Sequence, residues 1–264
     1  MELINDVSPA DWVVERLRPF APDGARLHSF VPDGFDAHAR VFHPAGYRPA
    51  GRGSPDPGRA MRWADLARAR GVTLSPDISF SEVTGIDPDD YRALDELAPT
   101  EDHLPPGTCD ALAALLRPHT GTPDRCWFCL WEGNGSFWSE SHGTGLPDDA
   151  TREEIDRYWA EARAQDELLG ATLRVEAYGR SYFLFRGPLS AACTFEPSGA
   201  YTTPNLWWPD DRAWIVVTEI EGYSTYVGGG REVIDDVLAS PDVESIEVTL
   251  DTHMDPGEFP PRWR

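Results

Sequence analysis

Two neighbouring runs, Thr172 to Tyr178 and Ser181 to Arg186, alternate apolar and polar residues and are separated by Gly179-Arg180. A period of two on both sides of a glycine turn predicts a β-hairpin. Further strands are predicted at Ala37 to His43 (AHARVFH), in the aromatic run CWFCLWE from Cys126, at Trp214 to Glu221 (WIVVTEIE), at Thr225 to Gly228 and at Val243 to Leu250. The helical period appears elsewhere. Ser8-Pro9 opens a helix whose Trp12, Val13, Leu17 and Phe20 share one face, with Ser8 as the cap and Pro22-Asp23-Gly24 as the stop. Met61 to Arg70 carries Trp63, Leu66 and Ala67. Asp87-Pro88-Asp89-Asp90 starts another short helix. Gly107 to Arg117 reads as a helix capped by Thr108 and stopped by Pro118. Thr151-Arg-Glu-Glu154 is a capping box, followed at helical spacing by Ile155, Tyr158, Trp159, Ala162 and Leu169, with a stop at Gly170. The last helix is Arg231 to Ala239, after Gly228-Gly229-Gly230.

The alternating runs are linked by tight turns, which argues for an α+β fold: an antiparallel or mixed β-sheet with helices packed on one side, rich in loops. A single domain over 1–264 accommodates it. Residues 1–106 read as a helical, loop-rich N-terminal part, and 107–250 as the sheet-containing part. Residues 72–106 look irregular, and the tail beyond Asp251 is Pro-rich. Pro49 to Arg59 is a Pro/Gly-rich mobile loop; with its edges it carries Arg48, Arg52, Arg59 and Arg62, the most basic stretch, suited to an anion or an acidic partner or simply solvated.

Charge and composition then narrow the function. The 264 residues carry 45 acidic and 23 basic side chains, a net charge of -22, and every basic residue is arginine. Without lysine the chain can form no Schiff base through a side-chain amine, and it can supply no phosphate-loop or Ser-x-x-Lys lysine. High-GC codon usage explains the absence. The negative charge argues against nucleic acid and suits a basic protein partner or a solvated acidic surface. Mean hydropathy of -0.43 fits a soluble protein, and no apolar run approaches a membrane span. MELINDVSPADWVVERL has neither a basic n-region nor an apolar h-region, so the expected compartment is the cytoplasm, where disulfides are not expected. Cys126 and Cys129 match C-x-x-C, but positions i and i+3 of a strand point to opposite faces, which favours buried thiols over a metal or redox pair. No cofactor is implied.

The densest unusual segment is Asn205 to Trp214 (NLWWPDDRAW). Two tryptophans before a proline suggest one indole at a rim, with Asp210, Asp211 and Arg212 beside it. The segment is either an aromatic-walled pocket or a structural corner. On WIVVTEIE, Trp214, Val216, Thr218 and Ile220 share one face and Ile215, Val217, Glu219 and Glu221 the other. Glu219 is thus a candidate for partial burial and for a raised pKa. Glu219 with Glu221 could form a carboxylate pair, or mark where the face reaches solvent. Gly228-Gly229-Gly230 ahead of a helix offers an anion nest or a tight turn. The candidate ligand-binding residues are Trp207, Trp208, Asp211, Arg212, Glu219, Tyr226 and Gly229, with no catalytic and no metal residues assigned. Gly133-Asn-Gly-Ser136 and Ser139-Glu-Ser-His142 hold hydroxyls but no G-x-S-x-G elbow, and the seven histidines are scattered.

DGFDAHARVFHPAG (33–46), RWADLA (62–67), CWFCLWEG (126–133), YFLFRGPL (182–189) and PNLWWPDDRAWIVVTEIEGYSTYVGGG (204–230) resemble segments of a group of actinobacterial proteins of similar length. That resemblance implies a single architecture in a high-GC cytoplasm and transfers no catalytic role. In composition and class the chain is also similar to bacterial immunity proteins of the SUKH type, acidic α+β proteins that bind toxins. Two functions follow: a non-enzymatic binding protein, immunity-type or regulatory, working through its acidic surface; or a small-molecule binder or enzyme with a pocket at Trp207, Trp208, Arg212, Glu219 and Tyr226.

Overall fold

A computed structural model describes residues 1–22, 24–46, 60–87, 90, 93, 97–134, 150–195 and 201–254. The arginine-bearing loop 48–59, most of the short helix after Asp87, the Ser136 and Ser139–His142 hydroxyl candidates and the tail beyond 254 lie outside those residues.

The protein is α+β, built on an antiparallel sheet. Its strands are β1 (Glu2–Ile4), β2 (Ala37–Phe42), β3 (Cys126–Trp131), β4 (Val175–Ala177), β5 (Arg180–Gly187), β6 (Leu206–Pro209), β7 (Trp214–Thr218), β8 (Ser224–Gly229) and β9 (Ser245–Val248). They lie in the order β1-β5-β3-β6-β7-β8-β2-β9, and β4 pairs with β5 beyond the end of β1. The helices are α1 (Asp11–Arg16), α2 (Trp63–Arg70), α3 (Phe80–Thr84), α4 (Pro106–Leu116), α5 (Arg152–Ala171) and α6 (Arg231–Ala239). Strands β1 and β2 come from the first 106 residues, so the sheet draws on both parts of the chain. β2 sits between β8 and β9, with Val41 opposite Thr225 and Ser245.

Both faces of the sheet are covered, and the side-chain alternation sorts residues between two cores. One core takes Val41, Phe128, Trp207, Trp214, Val216 and Val227 against Leu112 of α4 and Ile234 of α6. The other takes Cys129, Leu184, Trp208, Ile215, Val217 and Tyr226 against Trp12 and Val13 of α1. A third gathers Phe42, Trp63, Phe80 and Val83. Arg40 is fully buried beside it: its guanidinium lies over the Phe42 and Trp63 rings, and donates to Ser224 Oγ and to the Pro76 and Ile78 carbonyls.

Local signals hold where they are self-contained. In α5 the Thr151 hydroxyl accepts from the Glu154 amide at 3.3 Å, and the Glu154 carboxylate takes the Thr151 amide at 2.7 Å. A second capping box, Ser79 with Glu82, starts α3, in a stretch that reads as irregular. Other starts differ from expectation. α1 is one and a half turns long and has no side-chain cap from Ser8; Asp6 instead accepts from the Ser8 amide at 3.0 Å. α4 begins at Pro106, so Thr108 lies inside its first turn rather than at its cap. The N-terminus of α2 is served from far along the chain: Glu244 accepts the Trp63 and Ala64 amides at 2.7 and 2.6 Å.

The cysteines divide. Cys126 and Cys129 are buried on opposite sides of β3, and burial pushes the Cys126 thiol up to about 12. Cys109 and Cys193 form a disulfide between α4 and the turn Leu189–Cys193, with Cα atoms 5.6 Å apart. That corrects the expectation of free thiols. The two residues are 84 positions apart, so no spacing signal announces the pair.

Candidate functional site

The aromatic pocket expected around Trp207 and Trp208 does not assemble. The segment Leu206–Pro209 is a strand, and in a sheet covered on both faces adjacent residues can both be buried, one on each side. Trp207 and Trp208 are 0% and 1% exposed. Trp207 packs edge-on against Trp214 at 5.5 Å, and Trp208 against Trp12 at 5.9 Å, in opposite cores. Neither indole stands at a rim. Tyr226 is buried on the Trp208 side. Asp211 accepts from the Thr120 hydroxyl and the Gly121 amide at the surface turn. Arg212 occupies that turn with a positive φ of 57°, and its guanidinium lies 5.3 Å from the Trp12 ring centre.

The glycine nest is also absent as drawn. Gly228 and Gly229 belong to β8, paired with β2 on one side and β7 on the other. Their role is close approach: a Cβ on Gly229 would stand 3.0 Å from Val233 of α6, and one on Gly228 would stand 2.9 Å from the Phe35 ring. An open cleft of about 790 Å³ does lie at the start of α6, lined by Asp36, His119, Thr120, Gly121, Gly230 and Arg231 among others. Two of its charged side chains are paired: His119 with Asp236 at 2.8 Å, and Arg231 with Glu247 at 2.7 Å.

Of the expected residues, Glu219 alone stands in an unusual electrostatic setting. β7 ends at Thr218, so Glu219 opens the turn to β8 rather than continuing the strand, and the Gly222 amide returns to its carbonyl at 3.1 Å. Asn205 fixes this corner. Its amide donates to the Cys129 carbonyl, its carbonyl accepts the Thr218 amide, and its side-chain oxygen accepts the Trp131 amide at 2.9 Å. The β4–β5 hairpin supplies the partner. Its turn is Tyr178-Gly179, with φ of 38° and 76°, one residue earlier than the sequence suggests. Two positive φ values give the twist that a two-residue hairpin turn needs. The shift makes Arg180 the first residue of β5.

Arg180 Nη2 lies 2.5 Å from Glu219 Oε1 and 3.7 Å from Glu221 Oε2, so two carboxylates converge on one nitrogen. Glu219 is 1% exposed. Burial pushes its carboxyl up to about 7; Arg180 and the Ile220 amide oppose that rise, while the charges of Glu221 and Asp102 add to it. Tyr178 and Tyr182, with ring centres 5.7 Å apart, are driven upward by burial and by the same negative charge. Glu219 is thus held out of solvent by Arg180 and the Ile220 amide, and the Tyr178 hydroxyl is hydrogen-bonded with that of Tyr182. A carboxyl in this state exchanges its proton near neutrality.

Arg180, Tyr178 and Tyr182 were not among the sequence candidates. The available signal was the hairpin itself, which places a turn arginine beside two tyrosines. A separate buried chain runs through His43: Nδ1 donates to the Thr100 carbonyl at 2.7 Å, and Nε2 faces the Thr225 hydroxyl at 2.9 Å. Burial lowers this imidazole to about 4 and keeps it neutral. Among the described residues no group of three or more His, Cys, Asp or Glu is placed to hold a metal ion, and no helix is long and apolar enough to cross a membrane. No protein-family model, curated protein or solved structure matches the chain.

Proposed function

We propose that this chain is a non-enzymatic binding protein of the immunity or regulatory kind, whose acidic surface receives a basic protein partner in the cytoplasm. The observation that carries this reading is the fate of the aromatic residues. Trp207, Trp208 and Tyr226 are consumed by packing in two opposite cores, which leaves charge as the main recognition feature of the surface. Carboxylates outnumber arginines 45 to 23, and such an excess steers a cationic partner toward the protein. The resemblance to acidic immunity proteins points the same way. Action in the cytoplasm requires the Cys109–Cys193 bridge to withstand a reducing milieu; the full burial of Cys109 supports that resistance.

Calorimetric titration with nona-lysine tests the reading. Binding is expected at about 50 mM salt and should weaken steeply by about 300 mM, as screening demands. A response that ignores salt, or no binding at low salt, refutes it. The small-molecule reading retains one supporting observation, the acid–base state of Glu219, and loses the rest of its expected pocket.

A further inference from the structure

The start of β2 carries a buried histidine, His38. It lies opposite Gly228 of β8 and Val248 of β9 and is 6% exposed, and its Nε2 is buried without a hydrogen bond among the described residues. A short loop closes over it. The Phe35 ring comes within 2.9 Å of where a Cβ on Gly228 would stand, the His38 ring within 3.3 Å, and Phe35 packs edge-on against Trp12 at 6.2 Å. Two ties hold the loop down. The Asp33 carboxylate accepts from the Arg18 guanidinium with both oxygens at 2.8 Å, and the Asp33 amide donates to the Arg16 carbonyl at 3.0 Å. Between them and Phe35, Gly34 takes a φ of 114°, a conformation that suits glycine.

We propose that the Asp33–Phe35 loop is an acid-sensitive latch: when His38 takes up a proton the loop lifts, the Phe35 ring leaves Gly228, and water reaches the imidazolium. A protonated imidazole carries a donor on both nitrogens, so the closed loop would leave a buried N–H of a cation without an acceptor. The surrounding groups give no relief. On this face β9 presents Val248 and Ile246, and β8 presents Tyr226. Arg40 of β2 adds positive charge on the same face, its guanidinium bonded to Ser224 and to the Pro76 and Ile78 carbonyls. From α1, Arg16 adds another cation at Gly34. Asp33 is the carboxylate whose charge favours the proton, and Arg18 already holds it; Asp36 lines the cleft at α6.

Proton linkage sets the direction. Burial lowers the imidazole below its ordinary 6.5 with the loop closed, and the charge of Asp33 opposes that fall. With the loop open the ring meets water and titrates near its ordinary value of about 6.5. The open state therefore binds the proton first. Opening gains up to about tenfold per pH unit as pH drops below about 6.5, until the closed form also takes the proton; above about 6.5 this group has no effect on it. At neutral pH the latch keeps the Phe35 and Trp12 rings covered, and in acid it bares them.

Hydrogen-exchange mass spectrometry of the intact chain from about pH 8 to about pH 5.5, corrected for intrinsic rates, tests the latch. Protection of a peptide spanning 31–38 is expected to fall by up to about tenfold over that range, while a peptide spanning 231–239 in α6 keeps its protection. His38→Gln should hold 31–38 at its high-pH protection throughout. An NMR titration of the wild-type His38 ring needs no variant, and its midpoint is expected below 6.5. A ring that titrates at or above 6.5 overturns the latch. So does pH-independent protection of 31–38, a fall shared equally by 231–239, or a fall that persists in a folded His38→Gln chain.

Discussion

Replacing Glu219 by glutamine should flatten a specific part of the pH–stability profile. Burial raises this carboxyl from 4.5 to about 7 in the folded protein. The folded chain then holds a proton that the unfolded chain releases between those two values. Stability contributed by this group is therefore full below about pH 4.5 and is lost as pH rises through about 7. At 1.36 kcal/mol per pH unit the difference amounts to ~3 kcal/mol. Glutamine mimics the protonated form, keeps an oxygen toward Arg180, and cannot ionise. Wild type and Glu219→Gln should be equally stable near pH 4, and the variant should be more stable by up to ~3 kcal/mol near pH 8.5. For a chain of this length that corresponds to roughly 6 °C in melting temperature. The measurement is urea unfolding of both proteins across pH, plotted as a difference so that other carboxylates cancel. Parallel curves from pH 4 to 8.5, or a variant that loses ground as pH rises, would refute the reasoning.

Other consequences are equally concrete. Cys193→Ser opens an 84-residue loop in the unfolded chain and should cost about 4–5 kcal/mol by chain entropy; dithiothreitol should then have no further effect on the variant's urea midpoint. Gly229→Ala puts a methyl 3.0 Å from Val233 and should cost ~1–3 kcal/mol, part of which Val233→Ala in the same chain restores by thermal melting. His43, lowered to about 4, should keep neutral ring shifts down to about pH 5 in an NMR titration; its stability contribution of ~3 kcal/mol is present above about pH 6.5 and lost as pH falls toward 4.

Much of the fold is written in local patterns. The capping box at Thr151, the run Arg231 to Ala239 and the aromatic run from Cys126 each specify their element from residues within a turn or a pleat. Alternation along Trp214 to Thr218 also assigned its two faces, because side chains of a strand alternate whatever lies on either side. The same rule explains the burial of Cys126 and Cys129 on opposite faces.

Sequence by itself thus determined the α+β class, most helices and strands, and the filter set by a chain without lysine. Tertiary structure decided the partners, since those lie tens to hundreds of residues apart. Trp207 and Trp208 could not be recognised as core residues until the sheet was seen to be covered on both faces. Glu244 serves the first amides of α2 from 180 residues away, and Cys109 finds Cys193 across 84. Glu219 was marked by its apolar neighbours, but its setting depends on Arg180 and Tyr178, which a hairpin turn one residue earlier than expected delivers to it. Electrostatics in a low-dielectric corner depend on distance in space, which periodicity along a chain does not encode.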